Sequence, residues 1–154
     1  MFKVGSELFT SEGPKAVEKL SGLGFQIFLD LKFHDIPNTV SHAVAAASRL
    51  RSVRLVTIHA SGGVEMMRAA REAVGSKKTR PKLLGVTILT SLDGEALERI
   101  GIAGPPSARV LALARISSGV GINMIALLHL GSSYLPALGG RQAGDGFRFR
   151  LITN

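Results

Sequence analysis

"FLDLKFHDIPNT", residues 28–39, decides the fold. Its first six residues include four apolar ones, the composition of a buried strand. Asp30, Lys32, His34 and Asp35 then crowd into six positions, and Pro37 ends the run. Residues two apart on a strand point to one face, so Asp30 and Lys32 are expected side by side. Asp35 falls past the strand end, where it can reach back or across to a neighbouring subunit. Opposite charges at close range keep each other ionised. The array therefore fixes a proton donor, the Lys32 ammonium, beside fixed negative charge. Lys3, in "FKVG" (2–5), is placed to join from the adjacent strand. Ion-pair clusters of this kind also serve purely structural ends, and the spacing alone leaves both readings open. A metal site from Asp30, His34 and Asp35 is disfavoured, because Lys32 competes with a cation for the carboxylates.

Outward from this stretch, strand and helix patterns alternate. Strands are predicted at 2–5, 25–32, 53–60, 82–90, 124–130 and 147–153. Helices are predicted in "EGPKAVEKLSGLG", in "TVSHAVAAASRL" with Asn38 as its N-cap, and in "VEMMRAAREAV". "DGEALERIG", "ARVLALARIS" and a weak "SYLPALGG" follow. Regular alternation means an α/β fold with a parallel sheet. No G-x-G-x-x-G follows the first strand, which counts against a dinucleotide fold. Polar residues gather just after strands: Asp30, Lys32 and Asp35, then His59 and Ser61, then Thr90 and Ser91. That is where a (β/α) barrel carries its chemistry. The six strands fall short of the eight of a closed barrel.

With 154 residues and 45% hydrophobic content, the chain suits one domain, residues 1–154. The absence of Cys removes thiolate metal sites, Cys nucleophiles and disulfides. It fits a reducing, cytoplasmic setting. No signal pattern opens the sequence, and no apolar run approaches the roughly 20 residues of a membrane span. The net charge of +8 favours anionic partners. Seven Phe and one Tyr, not interleaved with the basic residues, weaken a single-strand nucleic-acid platform.

"FLDLKFHDIPNTV" closely resembles the active-site signature of the orotidine 5′-phosphate decarboxylase family, bacterial type. "FKVGSELFTSEGP" is similar to that family's second-strand segment, "HASGGVEMMRAAREA" to its fourth strand and helix, and "LLGVTILTSLD" to its fifth strand. The likeness runs nearly unbroken from Phe2 to about Arg115. It implies a TIM (β/α)8 barrel, a homodimer with the active site near the subunit interface, and no metal or organic cofactor. It implies decarboxylation of orotidine 5′-monophosphate to uridine 5′-monophosphate in pyrimidine biosynthesis. Carried over by motif, Lys3, Asp30, Lys32 and Asp35 form a charged tetrad. Lys32 is the proton donor to C6, Asp30 stands near the departing carboxylate, and Asp35 serves the partner's site. Ile36, Pro37, Asn38, Thr39 and Thr90 are implied substrate-binding positions.

The family pattern breaks in three places. The likeness begins at the second strand, so the first strand and its ribose-binding aspartate are expected to be missing. The last strand and the phosphate-binding arginine have no counterpart. Residues 116–143 carry a single charge, Arg141, where the family has acids and a Ser-Pro; a local frame error or true divergence would explain this atypical segment. The expectation is thus a partial barrel of uncertain activity. Two alternatives stand beside it: a Mg²⁺-dependent sugar-phosphate decarboxylase or synthase of the same superfamily, and a non-catalytic anion-binding barrel fragment.

Overall fold

A computed structural model describes residues 1–75, 80–122 and 124–126. Among them, five strands alternate with helices: β1 (Phe2–Gly5), α1 (Ser6–Glu12), α2 (Pro14–Gly22), β2 (Ile27–Phe33), α3 (Pro37–Arg49), β3 (Val53–His59), α4 (Gly63–Val74), β4 (Lys82–Val86), α5 (Gly94–Arg99), α6 (Pro106–Gly119) and β5 (Met124–Ala126). A single 3₁₀ turn, Ala60–Gly62, links β3 to α4.

All four ladders are parallel, and the strand order is β1-β2-β3-β4-β5. A doubly wound sheet reverses its order at a switch point. This one never reverses, so it is a stretch of a (β/α) barrel of the TIM type, as the family resemblance implies; the alternation alone left a doubly wound sheet open. The predicted strand at 147–153 and helix at 133–140 lie outside the described residues, as does most of the atypical segment. Its start, 116–119, completes α6.

Two apolar layers follow from strand alternation. Val4, Ile27, Leu29, Val56 and Ile58 face outward and pack with Val17, Val40, Val44, Met66, Met67 and Ala70 from the helices. Inward, Leu55, Leu84 and Ala126 pack with Phe28 and Met124. The buried positions of α3, Val40, Val44 and Ala47, and of α4, Met66, Met67, Ala70 and Val74, recur at helical spacing.

Four local readings are corrected. Asn38 is not an N-cap: α3 starts at Pro37, with Ile36 as the capping position. Proline lacks the N–H that would be orphaned in a first turn, and its fixed φ suits that place. Helix α1 was absent from the sequence reading, because none of its seven residues is fully buried and only Phe9 packs against the core. β2 begins at Ile27; Phe25, before it, meets the Phe2 ring at 4.4 Å between centroids. β4 leaves the ladder after Val86, where Thr87 Oγ1 donates to the Ala126 carbonyl at 2.8 Å. No helix among the described residues is long and apolar enough to cross a membrane.

Candidate active site

The C-terminal half of β2 is irregular, and that irregularity builds the site. Leu29 pairs with Val56 and Phe33 with Ile58, so β2 takes four steps where β3 takes two. Two extra residues bulge from the ladder. Lys32 sits in this bulge with φ 49°, in the left-handed region. A non-glycine residue held there costs on the order of 1–3 kcal/mol, so surrounding contacts must enforce it.

Those contacts meet at Asp30. Its carboxylate is nearly buried, and Lys32 Nζ donates to Oδ1 at 2.9 Å. Lys3 Nζ stands 3.5 Å from Oδ2. Lys3 lies opposite Phe28 in the β1–β2 register, and Gly5 opposite Asp30. The convergence of Lys3, Asp30 and Lys32 is as expected, but its cause differs. The bulge and left-handed Lys32 bring the groups together, not plain alternation along a straight strand.

Thr57 completes the cluster and was missed. Its hydroxyl accepts from Lys32 N at 2.8 Å and lies 3.2 Å from Asp30 Oδ1, to which it donates. It sits between Leu55 and His59 on the inward face of β3, and its burial is almost total. A hydroxyl at an inward position of an otherwise apolar run was the available signal.

These residues line one cleft. Lys3, Asp30, Lys32, Thr57 and Thr90 supply its polar wall; Phe28, Leu84, Val86, Leu89 and Ala126 supply its apolar wall. The cleft thus offers an apolar wall beside two ammonium groups and one carboxylate. Asp35, Ile36, Pro37, Asn38 and Thr39 stand apart, all exposed. Asp35 Oδ1 accepts from Ile36 N at 2.7 Å, and Ile36 is 65% exposed. Within one chain, then, the "DIPNT" half of the motif faces outward.

His59 stacks near His34, ring centroids 5.2 Å apart. Burial lowers its pKa below the ordinary histidine value, and His34 and Lys32 lower it further against an opposing pull from Asp30. Ser61 is exposed in the 3₁₀ turn. Neither lines the cleft. Beneath them Gly62 is closely packed: a Cβ there would fall 2.1 Å from Met66 Sδ and 3.2 Å from His34 Cδ2. Among the described residues, no group of three or more His, Cys, Asp or Glu side chains is placed to hold a metal ion.

Comparison with known proteins matches this architecture to one family. The profile described as "Orotidine 5'-phosphate decarboxylase / HUMPS family" matches residues 1–128. The orotidine 5'-phosphate decarboxylase of Nitrosococcus oceani is 51% identical over 123 residues, covering 80% of this chain and 53% of that protein. That of Nitrosomonas europaea is 53% identical over 151 residues, covering 98% of this chain and 62% of its own length. The crystal structure of orotidine 5'-phosphate decarboxylase from Lactobacillus acidophilus superposes with a TM-score of 0.80 at 35% identity, covering 96% of this chain and 66% of that one. The chain therefore spans little more than half the length of the first of these relatives. A family profile that matches residues 1–128, most of the chain, means that the chain belongs to the orotidine 5'-phosphate decarboxylase / HUMPS family.

Proposed function

We propose that this chain carries the decarboxylating centre for orotidine 5′-monophosphate, yielding uridine 5′-monophosphate for pyrimidine biosynthesis in the cytoplasm. The observation that carries the reading is the Asp30 carboxylate held between two ammonium groups, Lys32 at 2.9 Å and Lys3 at 3.5 Å, on the polar wall of a cleft whose other wall is apolar. The pyrimidine lies on the apolar wall with its C6 carboxylate toward Asp30. The bond between C6 and the carboxylate carbon breaks, CO₂ leaves, and the electron pair stays on C6. Lys32 Nζ gives its proton to C6, and the resulting amine regains one from water. The sequence is redox-neutral, so its electrons balance without a cofactor. Fixed positive charge beside C6 stabilises the carbanion as it develops, without reorganisation at the moment of reaction.

Thr90, on the cleft wall, is assigned a substrate contact. Asp35, Ile36, Pro37, Asn38 and Thr39 are assigned to the site of a second subunit in a homodimer, a reading supported by their exposure together on one outward loop and helix start. Residues 1–154 are read as one barrel domain with a divergent segment at 116–143. Mg²⁺-dependent sugar-phosphate chemistry needs a cation at this carboxylate, and here both Asp30 oxygens face ammonium groups.

The test is CO₂ release from orotidine monophosphate by the chain at high protein concentration. Turnover that persists in EDTA supports the reading. Turnover abolished by EDTA would move the chain to the sugar-phosphate branch. No turnover, with weak salt-sensitive binding of nucleotides, would leave an anion-binding barrel fragment.

A further inference from the structure

We propose that Thr57 is the positioning residue of this centre: its hydroxyl sets the left-handed turn at Lys32 and aims Asp30, so that the Lys32 ammonium stands where the proton is needed. The proposal rests on the decarboxylase reading and adds a residue to it.

A threonine hydroxyl has one proton and two acceptor lone pairs. The Lys32 N–H can only donate, so its 2.8 Å contact takes a lone pair of Thr57 Oγ1. The proton of Thr57 is then directed to the nearest acceptor, Asp30 Oδ1 at 3.2 Å. That same oxygen accepts from Lys32 Nζ at 2.9 Å. Backbone N, hydroxyl, carboxylate and ammonium thus close a ring in which Lys32 is held at both ends. Thr57 is the one member supplied by a neighbouring strand. Without it, the bulge has no anchor from β3 at Lys32, and the left-handed φ of 49° loses the hydrogen bond that favours it. The site is also too enclosed for water to replace the hydroxyl freely, since Thr57 is 1% exposed and Asp30 8%.

Two substitutions separate positioning from bulk. Thr57→Val keeps the shape and deletes the hydroxyl; Thr57→Ser keeps the hydroxyl and deletes a methyl group. The expected result for Thr57→Val is a fall in kcat of about tenfold to a hundredfold with KM little changed, the size of effect that follows when buried groups lose a hydrogen-bond partner. Its Lys32 amide should also exchange with solvent about tenfold faster or more, while amides of α3 and α4 keep their protection. Thr57→Ser should restore both readouts. A Thr57→Val protein with unchanged kcat and a protected Lys32 amide would overturn the proposal. So would a folded Thr57→Ser protein as impaired as Thr57→Val, because shape alone would then matter. If Thr57→Val does not fold, Thr57→Ala is measured in its place against the same criteria. If the unsubstituted chain releases no CO₂, the decarboxylase reading fails by itself, and the Lys32 amide alone decides whether Thr57 sets that turn.

Discussion

Under the proposed function, the Lys32 side chain would do two things, donate a proton and carry charge beside the reacting carbon. Replacing it with alanine removes both. Loss of a general acid costs typically 10²–10⁴-fold, or about 2.7–5.5 kcal/mol of barrier. Loss of the charge adds to that, so Lys32→Ala should abolish measurable CO₂ release while the circular dichroism of the folded chain is unchanged. An unaltered rate would make the lysine structural. Lys3 differs in degree: its side chain is 58% exposed and its ammonium stands farther from Asp30, so its ion pair adds little to stability. His59 lies outside the cleft but feels the charges of Lys32 and Asp30. Its native pKa is lowered, chiefly by burial, so the unfolded chain binds its proton first as pH falls. The stability it confers is full above about pH 6.5, the ordinary histidine value, and is lost as pH drops toward the lowered native value. Chemical denaturation at pH 7.5 and pH 5 should show a drop that His59→Gln reduces. A drop of equal size in that variant would assign the acid sensitivity elsewhere.

At the scale of elements, the periodicities carried most of the fold. Val40, Val44 and Ala47 mark the buried face of α3, and "VRLVTIH" is a strand from end to end. What periodicity cannot register is a break in period. The bulge in β2 depends on how β3 pairs with it, and that pairing is a long-range fact absent from residues 27–33 themselves. Thr57 was hidden for the same reason, since its role exists only once β3 lies beside Lys32. Helix α1 lacks an apolar stripe, so its sequence gave no signal to read. The 3₁₀ turn after β3 makes a prediction at this scale. Alanine in place of Gly62 relieves the unfolded-state entropy of glycine, a gain of about 0.4–1 kcal/mol. Against this, the new Cβ would fall 2.1 Å from Met66 Sδ, and Met66 is fully buried with no solvent to swing into. Overpacking of that kind costs about 1–3 kcal/mol, so the clash wins. Gly62→Ala should lower the urea midpoint, and adding Met66→Ala should make the two changes cost less than their sum. Simple additivity would mean that the turn moves away from Met66 without strain.

For the whole molecule, the outward-facing half of the motif is the unresolved economy of the site. In the proposed homodimer, the exposed loop that carries Asp35 and Ile36, the latter 65% exposed, would lie against the partner's cleft. If Asp35 completes the partner's centre while Lys32 serves its own, each site draws on both chains. Lys32→Ala and Asp35→Ala subunits should then each be nearly inactive alone. Mixed and allowed to exchange, they form heterodimers in which one site receives both lesions and the other receives neither. With random pairing of equal amounts, roughly half the dimers are mixed and each has one intact site, so about a quarter of the unsubstituted activity should return. The recovery should grow with the time allowed for subunit exchange and be absent when the two proteins are assayed together without it. If the mixture stays as inactive as its parts while co-purification of differently tagged subunits shows that heterodimers have formed, Asp35 acts within its own chain, and the exposed position it holds here must change on binding substrate.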